Sequence, residues 1–203
     1  VASPLSAARI TMSEKQKIVG GALVDIGGET TTLSVFENGN IVALHTFSLA
    51  GENITNDIAL GLRIPLELAE ATKLGVIGEN VSKKRLDDVI ESRLSDIFEL
   101  IENHLKKIKR NELLPAGIVF VGGGANIKML EEYSKDALKL PSRVGSTDIF
   151  GNIKTKLRDP AWFNVLGLIL PDEENQYYSE STLTNAFKNL KRVLMSNIKQ
   201  LMP

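Results

Sequence analysis

The sequence predicts an α/β fold, in which a mixed β-sheet opens with a three-strand meander and carries helices packed on it. Two apolar, strand-like segments, 19–25 and 117–121, each end in a run of glycines. Between them lie a β-hairpin signal and several segments with helical spacing. Because strands that alternate with helices bury their apolar faces against each other, this order favours a sheet covered by helices.

The meander is expected at the start of the chain. Segment 19–25 is predominantly apolar, as buried strands are. Segment 31–37 alternates and is rich in β-branched residues, and Asn38-Gly39 is a strong hairpin signal before a third strand at 41–48.

Helices follow the meander. Segment 51–62 repeats apolar residues at helical spacing, and Pro65 suits the first turn of a further helix that reaches Lys73. A long helix is predicted over 86–109, because its apolar residues share one face and charges fill the rest. Those apolar residues are Leu86, Val89, Ile90, Leu94, Ile97, Phe98, Ile101, Leu105 and Ile108.

Strands and helices then alternate. A strand is predicted at 117–121, a helix at about 127–138 and a short strand near 143–145. Asp159 followed by Pro160 supplies an N-cap and a helix start, and this last helix is expected to run to about residue 170.

Composition bounds the function. The 203 residues fit one domain or two small ones, with hydrophobic and charged fractions of 43% and 24% that are typical of globular proteins. No cysteine is present, which excludes disulfides and thiolate metal sites, and His45 and His104 show no metal-ligand spacing. A formal net charge of −1 gives no indication of nucleic-acid binding, and no apolar run reaches transmembrane length.

The two glycine runs differ in chemistry. The first, Asp-Ile-Gly-Gly-Glu-Thr-Thr-Thr over 25–32, combines close backbone approach with an acid and hydroxyls, which suits phosphate and a metal ion. The second, Gly-Gly-Gly over 122–124, is uncharged and suits packing against a flat neutral group. Together they indicate the two ends of one nucleotide, while the alternative for each is a tight turn without a ligand.

The order of these motifs resembles that of the FtsA family, actin-like proteins of bacterial cell division in the actin/Hsp70/sugar-kinase superfamily. Segment 25–32 is similar to the second phosphate motif of the superfamily and 122–124 to its adenosine motif. The resemblance implies an actin-like ATPase (ribonuclease H-like) domain with ATP and Mg²⁺ as cofactors. Other similar segments are 1–5, 12–15, 51–59, 67–73, 89–94 and 159–167.

At the phosphate end, the resemblance implies that Asp25 acts on the metal through a bound water, a role against which a turn-capping aspartate is the alternative. The surrounding turn would offer N–H groups and hydroxyls to phosphate oxygens. Its members are Gly27, Gly28, Glu29, Thr30 and Thr31.

At the nucleoside end, the resemblance implies that Glu70 and Lys73 reach the ribose and the base edge. They lie three residues apart and share a helix face, so an ordinary surface ion pair is the alternative. Gly122, Gly123 and Gly124 would line the adenosine pocket, with a purely structural turn as the alternative.

Three departures from the family pattern stand out. Glu29 replaces a glycine, where a side chain would crowd or repel the terminal phosphate, and Thr32 replaces the acid that commonly closes the motif. Between Gly75 and Leu86 a longer β-rich stretch is nearly absent, so the second subdomain is expected to be small, trimmed and mainly helical. We expect an actin-like subdomain over 1–50 and 111–170 and the helical one over 51–110.

The resemblance also implies that this chain corresponds to the second half of an FtsA-like protein plus its C-terminal tail. The first half of the cleft, with the first phosphate hairpin, has no counterpart, so we expect an excised fragment or one product of a split gene. ATPase activity, if any, is expected to be weak.

An acidic, polar linker is expected at 171–181, followed by an amphipathic helix at 182–203. This last segment has no acidic residue but several basic ones, and its apolar residues recur at helical spacing, a pattern typical of helices that lie in a membrane interface. A core or dimerising helix is the alternative. The expected membrane-contacting residues are Phe187, Leu190, Lys191, Arg192, Leu194, Ile198 and Leu201.

The resemblance implies that the chain tethers the FtsZ ring to the cytoplasmic membrane at the division septum. Expected partners are the C-terminal tail of FtsZ, docking near Arg93, further copies in actin-like filaments and an anionic membrane, with no nucleic acid. For Arg93, a solvated surface charge is the alternative. Other functions on the same fold are an ATPase or kinase enzyme and a pilus-assembly scaffold.

Overall fold

The computed structural model describes residues 3–76, 81–149, 151 and 155–169. Within them, five strands form one sheet in the order β3–β2–β1–β4–β5. The first three strands are an antiparallel meander, and β4 and β5 run parallel to β1, which confirms the mixed sheet. The strands are β1 (Gly21–Ile26), β2 (Thr31–Glu37), β3 (Asn40–Phe47), β4 (Ile118–Val121) and β5 (Ser142–Val144).

Helices cover both faces of the sheet. Short 3₁₀ turns occupy Gly123–Asn126, Lys156–Arg158 and Pro160–Trp162. The α-helices are α1 (Ser3–Thr11), α2 (Glu14–Val19), α3 (Gly51–Leu62), α4 (Leu66–Lys73), α5 (Lys83–Lys107), α6 (Leu130–Leu138) and α7 (Phe163–Ile169). Among the described residues, no helix is both long enough and apolar enough to cross a membrane.

The alternation of β1 assigns its side chains to two cores. Ala22, Val24 and Ile26 pack in the larger core with α3, α5 and α6, whereas Leu23 faces the smaller core with α1 and α7. The buried residues of α5 are on the predicted stripe: Leu86, Ile90, Leu94, Ile97, Phe98, Ile101 and Leu105. Helices α3 and α5 share the larger core with the sheet. The division into an actin-like subdomain over 1–50 and 111–170 and a helical one over 51–110 stays a prediction.

The hairpin is as predicted. Asn38 and Gly39 both have positive φ, 51° and 77°, which is the backbone of the tight two-residue turn that suits twisted strands. The first strand begins later than predicted, because Val19 belongs to α2 and β1 starts only at Gly21. The hydroxyl of Ser13 accepts a 3.3 Å hydrogen bond from the Gln16 N–H, and the side-chain oxygen of Gln16 accepts one of 2.9 Å from the Ser13 N–H. This capping box starts a helix that the sequence analysis missed.

Two later helices begin after 3₁₀ turns. The predicted helix at 127–138 starts only at Leu130, because the chain first makes the 3₁₀ turn Gly123–Asn126. Asp159 caps as predicted, accepting a 2.9 Å hydrogen bond from the Ala161 N–H, but it caps the 3₁₀ turn that precedes α7.

The linker and tail expected at 171–181 and 182–203 lie outside the described residues.

Candidate functional site

A cleft of about 940 Å³ lies where the first glycine turn, α3, α4 and the second glycine turn meet. Ligands bind at this position in α/β sheets, beyond the carboxyl ends of parallel strands. Six of the predicted site residues line the cleft together: Gly27, Gly28, Glu70, Lys73, Gly123 and Gly124.

The first turn is anchored to the start of α3 through its carbonyl groups. Gly27 O accepts a 3.0 Å hydrogen bond from the Gly51 N–H, and Gly28 O accepts one of 2.8 Å from the Glu52 N–H. Within the described residues, the N–H groups of Gly28, Glu29 and Thr30 make no hydrogen bond. These three donors are therefore available to an anion.

The turn tolerates Glu29 but places negative charge at this end of the cleft. Glu29 is exposed and its φ is not in the left-handed region, so its backbone does not require glycine. A second carboxylate, missed by the sequence analysis, lies close by: a Cβ on Gly28 would come 3.4 Å from Oε1 of Glu52. The carboxylates of Glu29 and Glu52 oppose binding of a polyphosphate at this turn.

The two threonines of the turn differ in position. Thr30 is exposed beside the free N–H groups. Thr31 is fully buried, and its hydroxyl donates a 2.7 Å hydrogen bond to the carbonyl of Leu49. The structure thus does not bring the Thr31 hydroxyl into the cleft.

Asp25 points to the α7 side of the sheet and does not line the cleft. Burial raises the pKa of its carboxyl, and a 2.7 Å hydrogen bond from the side-chain amide of Asn164 opposes that rise. The amide oxygen of Asn164 is buried and has no hydrogen-bond partner among the described residues. One carboxylate and one unpaired amide oxygen therefore lie together beneath the two glycine turns.

This pair fits Mg²⁺ only through water. The described residues contain no cluster of three or more His, Asp or Glu side chains that could hold an ion directly. Hard oxygen acceptors suit the water shell that Mg²⁺ retains in phosphate sites. The unpaired oxygen of Asn164 can accept from such a water, so Asp25 and Asn164 fit the outer-shell role that the sequence analysis gave to Asp25 alone.

The second glycine turn needs glycine at two of its three positions for packing. Gly122 has φ 84°, and a Cβ there would overlap the Asp25 carboxylate, while a Cβ on Gly124 would overlap the side chain of Ile26. A Cβ on Gly123 would meet nothing within 4 Å among the described residues. Gly123 is therefore the member of the run that opens freely onto the cleft.

The α4 pair is not an ordinary surface ion pair. The side chain of Lys73 is only 9% exposed, and its Nζ lies 2.7 Å from Glu70 Oε2, 2.7 Å from Thr55 Oγ1 and 3.1 Å from Gly51 O. The Glu70 side chain is 47% exposed and also accepts a hydrogen bond from Thr55. Burial raises the pKa of the Glu70 carboxyl, but the hydrogen bonds and charge of Lys73, with Thr55, outweigh it and leave a lowered pKa.

Sequence reasoning also missed residues on the far side of the cleft. The Asn126 side chain donates a 2.8 Å hydrogen bond to Asp159 Oδ1, and both residues line the cleft. The Gly122 N–H donates to the carbonyl of Pro160. The only available signal was the Asp159-Pro160 pair, which indicated a helix start and not a cleft wall.

Arg93 is partly exposed and is already paired with two carboxylates. It joins α5 to α3, because its Nε donates a 2.6 Å hydrogen bond to Asp57 Oδ2 and its second nitrogen lies 3.0 Å from Asp96 Oδ2. The hydrogen bond that Arg93 donates to Asp57 raises the pKa of its guanidinium. Any acidic peptide that docks here competes with these two aspartates.

The two histidines, distant in sequence, stack with ring centroids 4.2 Å apart and planes inclined by 17°. Lone pairs of parallel rings do not converge, so this arrangement does not suit one shared metal ion.

The predicted membrane-contacting residues lie outside the described residues. They are Phe187, Leu190, Lys191, Arg192, Leu194, Ile198 and Leu201.

Comparisons with known proteins identify the family. A family model described as cell division protein FtsA matches residues 22–167. FtsA of Bacillus subtilis is 34% identical over 188 residues, which cover 82% of this chain and 41% of that protein. FtsA of Pseudomonas aeruginosa is 28% identical, with 95% of this chain and 54% of that protein covered. The chain spans about half the length of the curated relatives it matches.

Solved structures share the fold at lower identity. MreB5 of Spiroplasma citri bound to ADP has a TM-score of 0.65 and 22% identity, covering 90% of this chain and 60% of that one. The PilM–PilN type IV pilus biogenesis complex has a TM-score of 0.65 and 21% identity, covering 81% of this chain and 48% of that one. Ta0583, an archaeal actin homologue, has a TM-score of 0.59 and 15% identity, covering 80% of this chain and 52% of that one.

These structural similarities confirm an actin-like ATPase fold. The matched region runs from β1 into α7, and so includes both glycine turns and α4. The chain belongs to the FtsA family of actin-like cell-division proteins.

Proposed function

We propose that the cleft is the second-half wall of an ATP site in an FtsA-like membrane tether of the division ring. The observation that carries the nucleotide proposal is the convergence of both glycine turns and Glu70 on one cleft of about 940 Å³. The free N–H groups of the first turn would take the terminal phosphates. The exposed carboxylate of Glu70 would accept hydrogen bonds from ribose hydroxyls.

The base would lie toward the second glycine turn. A smaller pocket of about 400 Å³ adjoins the cleft and shares Lys73, Leu74 and Asn126 with it. Gly123, where a Cβ would meet no described residue within 4 Å, lines the larger cleft. Mg²⁺, held through water near Asp25 and Asn164, would screen the phosphate charges.

Affinity for ATP is expected to be weak in this chain by itself. Glu29 and Glu52 repel the polyphosphate, and the relatives are about twice as long, so further groups of a complete site lie elsewhere in such proteins. We expect ATP to shift the backbone amide signals of Gly28, Glu29, Thr30 and Gly123 in an NMR titration, with a dissociation constant above the micromolar range and no appreciable turnover.

If millimolar ATP with Mg²⁺ leaves those four signals in place, the nucleotide proposal is wrong. A micromolar or tighter constant from calorimetry would contradict the electrostatic account of the first turn.

The tether role rests on family membership and on the basic, amphipathic pattern at 182–203. We propose that this segment binds the cytoplasmic face of the inner membrane at the septum. We further propose that the globular part engages the acidic C-terminal tail of FtsZ, with Arg93 in the docking region, and other copies in filaments. Liposome co-sedimentation and pull-down with an FtsZ tail peptide test these roles separately.

A further inference from the structure

The ammonium group of Lys73 has three protons and three neighbours. Glu70 Oε2, Thr55 Oγ1 and Gly51 O lie within 3.1 Å of Nζ, and the side chain is only 9% exposed. An ammonium donates at most three hydrogen bonds. Every donor of Lys73 is thus already used inside the protein.

These contacts connect Lys73 to both ends of the cleft. On one side, the ammonium holds the carboxylate of Glu70, the group assigned to the ribose. On the other, it binds Gly51 O, and the N–H of the same Gly51 donates a 3.0 Å hydrogen bond to Gly27 O in the first turn. Charge-assisted hydrogen bonds of this kind fix the geometry of the groups they join.

Thr55 completes the arrangement. Its hydroxyl accepts from Lys73 at 2.7 Å and donates either to Glu70 or to Gly51 O, which lies 3.1 Å away. Thr55 lines the cleft with a relative exposure of only 4%. No sequence motif singled it out.

We propose that Lys73, supported by Thr55, is a positioning residue that holds Glu70 and the first glycine turn in one arrangement. Removing one partner of a charge-assisted hydrogen bond leaves the other partner unpaired, so loss of the Lys73 ammonium should release both Glu70 and Gly51 O. The inference rests on the proposed ATP function only for the identity of the ligand.

The first test needs no nucleotide. In ¹⁵N-labelled protein, Lys73→Met and Thr55→Val should each shift the backbone amide signals of Gly27 and Gly28, to which both side chains are connected by hydrogen bonds through Gly51. Thr55→Ser keeps the hydroxyl and should restore the wild-type positions. Lys84→Met, at an exposed position of α5, should leave them unchanged. Unchanged Gly27 and Gly28 signals in a folded Lys73→Met protein would overturn the positioning role.

The second test compares ligands. Binding of ATP, 2′-deoxy-ATP and inorganic tripolyphosphate is measured by NMR titration with wild type and with Lys73→Met. A positioning residue that acts on the phosphate turn should weaken all three, by about tenfold or more. If Lys73→Met leaves tripolyphosphate binding unaffected, then Lys73 does not act on the phosphate turn and the inference is wrong.

The two failures are distinguishable. If the wild-type chain binds none of the three ligands, the proposed ATP function is wrong, but the amide shifts in the nucleotide-free variants still decide whether Lys73 positions the turn. Where Lys73→Met fails to fold, the comparison of Thr55→Val with Thr55→Ser tests the same connection. A failure of rescue by Thr55→Ser would count against the hydroxyl as the connecting group.

Discussion

The side-chain amide of Asn164 donates a 2.7 Å hydrogen bond to the carboxylate of Asp25, across a sequence separation of 139 residues. It joins α7 to the end of β1, directly beneath the second glycine turn. Gly122 permits this contact, because a Cβ at that position would overlap the Asp25 carboxylate. Asp25, the acid of the phosphate motif, is therefore oriented by α7, a helix that is distant from it in sequence.

The raised pKa of Asp25 predicts a cost in stability at neutral pH. Because burial raises this pKa above its ordinary value of 3.8, the folded state retains a proton that the unfolded state releases. Stability should fall as pH rises from 3.8 through the folded pKa. We expect Asp25→Asn to raise the free energy of unfolding at pH 7 but not at pH 3, as measured by urea denaturation. Equal effects at both pH values would contradict a charge-based cost.

Loss of the Asn164 amide should make this cost larger. Asn164→Leu leaves the Asp25 carboxylate without its donor and is expected to reduce the free energy of unfolding by about 1–3 kcal/mol at pH 7. In an Asp25→Asn background the same change should cost less, since no charge remains to be stabilised. A double-mutant cycle with no coupling energy would show that the hydrogen bond has no influence on the carboxylate.

Glu70 predicts the opposite pH dependence. Its folded pKa lies below the ordinary value of 4.5, so its contribution to stability is present above that pH and is lost as pH falls through the folded pKa. We expect Glu70→Gln to reduce the slope of stability against pH below 4.5. Because Glu70 is half exposed, the effect should be modest. An unaltered slope in Glu70→Gln would mean that Lys73 does not stabilise the carboxylate.

The two carboxylates at the first turn should weaken phosphate binding. A unit charge about 7 Å from a phosphate contributes roughly 0.6 kcal/mol in water and more where solvent is excluded, so Glu52→Gln should tighten ATP binding by about threefold. Glu29→Gly should do so as well, with an added steric contribution. Glu67→Gln, which removes another carboxylate of the cleft lining, is the matched control. Weaker binding in either turn variant would show that the carboxylate helps to hold the ligand.

The position of Arg93 alters how FtsZ docking has to be tested. Charge reversal at Arg93 should weaken binding of an FtsZ tail peptide, and rising salt should weaken it too. Arg93→Glu also places a third carboxylate beside Asp57 and Asp96, so thermal stability should fall. Arg85→Glu, an exposed position on the same helix, controls for charge alone. Peptide affinity that changes neither with salt concentration nor with Arg93→Glu would indicate that the peptide binds another surface.

The tail prediction concerns the segment outside the described residues. Truncation after Tyr178 should abolish co-sedimentation with anionic liposomes and leave the thermal unfolding of the globular part intact. Leu194→Glu should do nearly the same, because it puts a charge in the apolar stripe. Ser196→Glu, off that stripe, is the matched control and should reduce binding far less. A truncated chain that still pellets would remove the basis for the tether.

Local patterns were enough for much of the fold. The limits of β2 and α3 agree with prediction, because strand alternation, the Asn38-Gly39 turn and helical spacing are encoded within a few residues. The missed helix α2 was also locally encoded, in the Ser13 and Gln16 capping box, and it was overlooked because the neighbouring apolar Val19 was assigned to a strand.

Contiguous motifs were enough to identify the family, the five strands, the helices α3 to α7 in outline and the two glycine turns. Which motif residues face the cleft depends on tertiary packing. It buried the Thr31 hydroxyl, turned Asp25 toward Asn164 and surrounded Lys73 with acceptors. Each outcome depends on groups that are distant along the chain and meet only when helices pack on the sheet. Burial and long-range hydrogen bonding, which no local pattern contains, therefore set the chemical role available to each side chain.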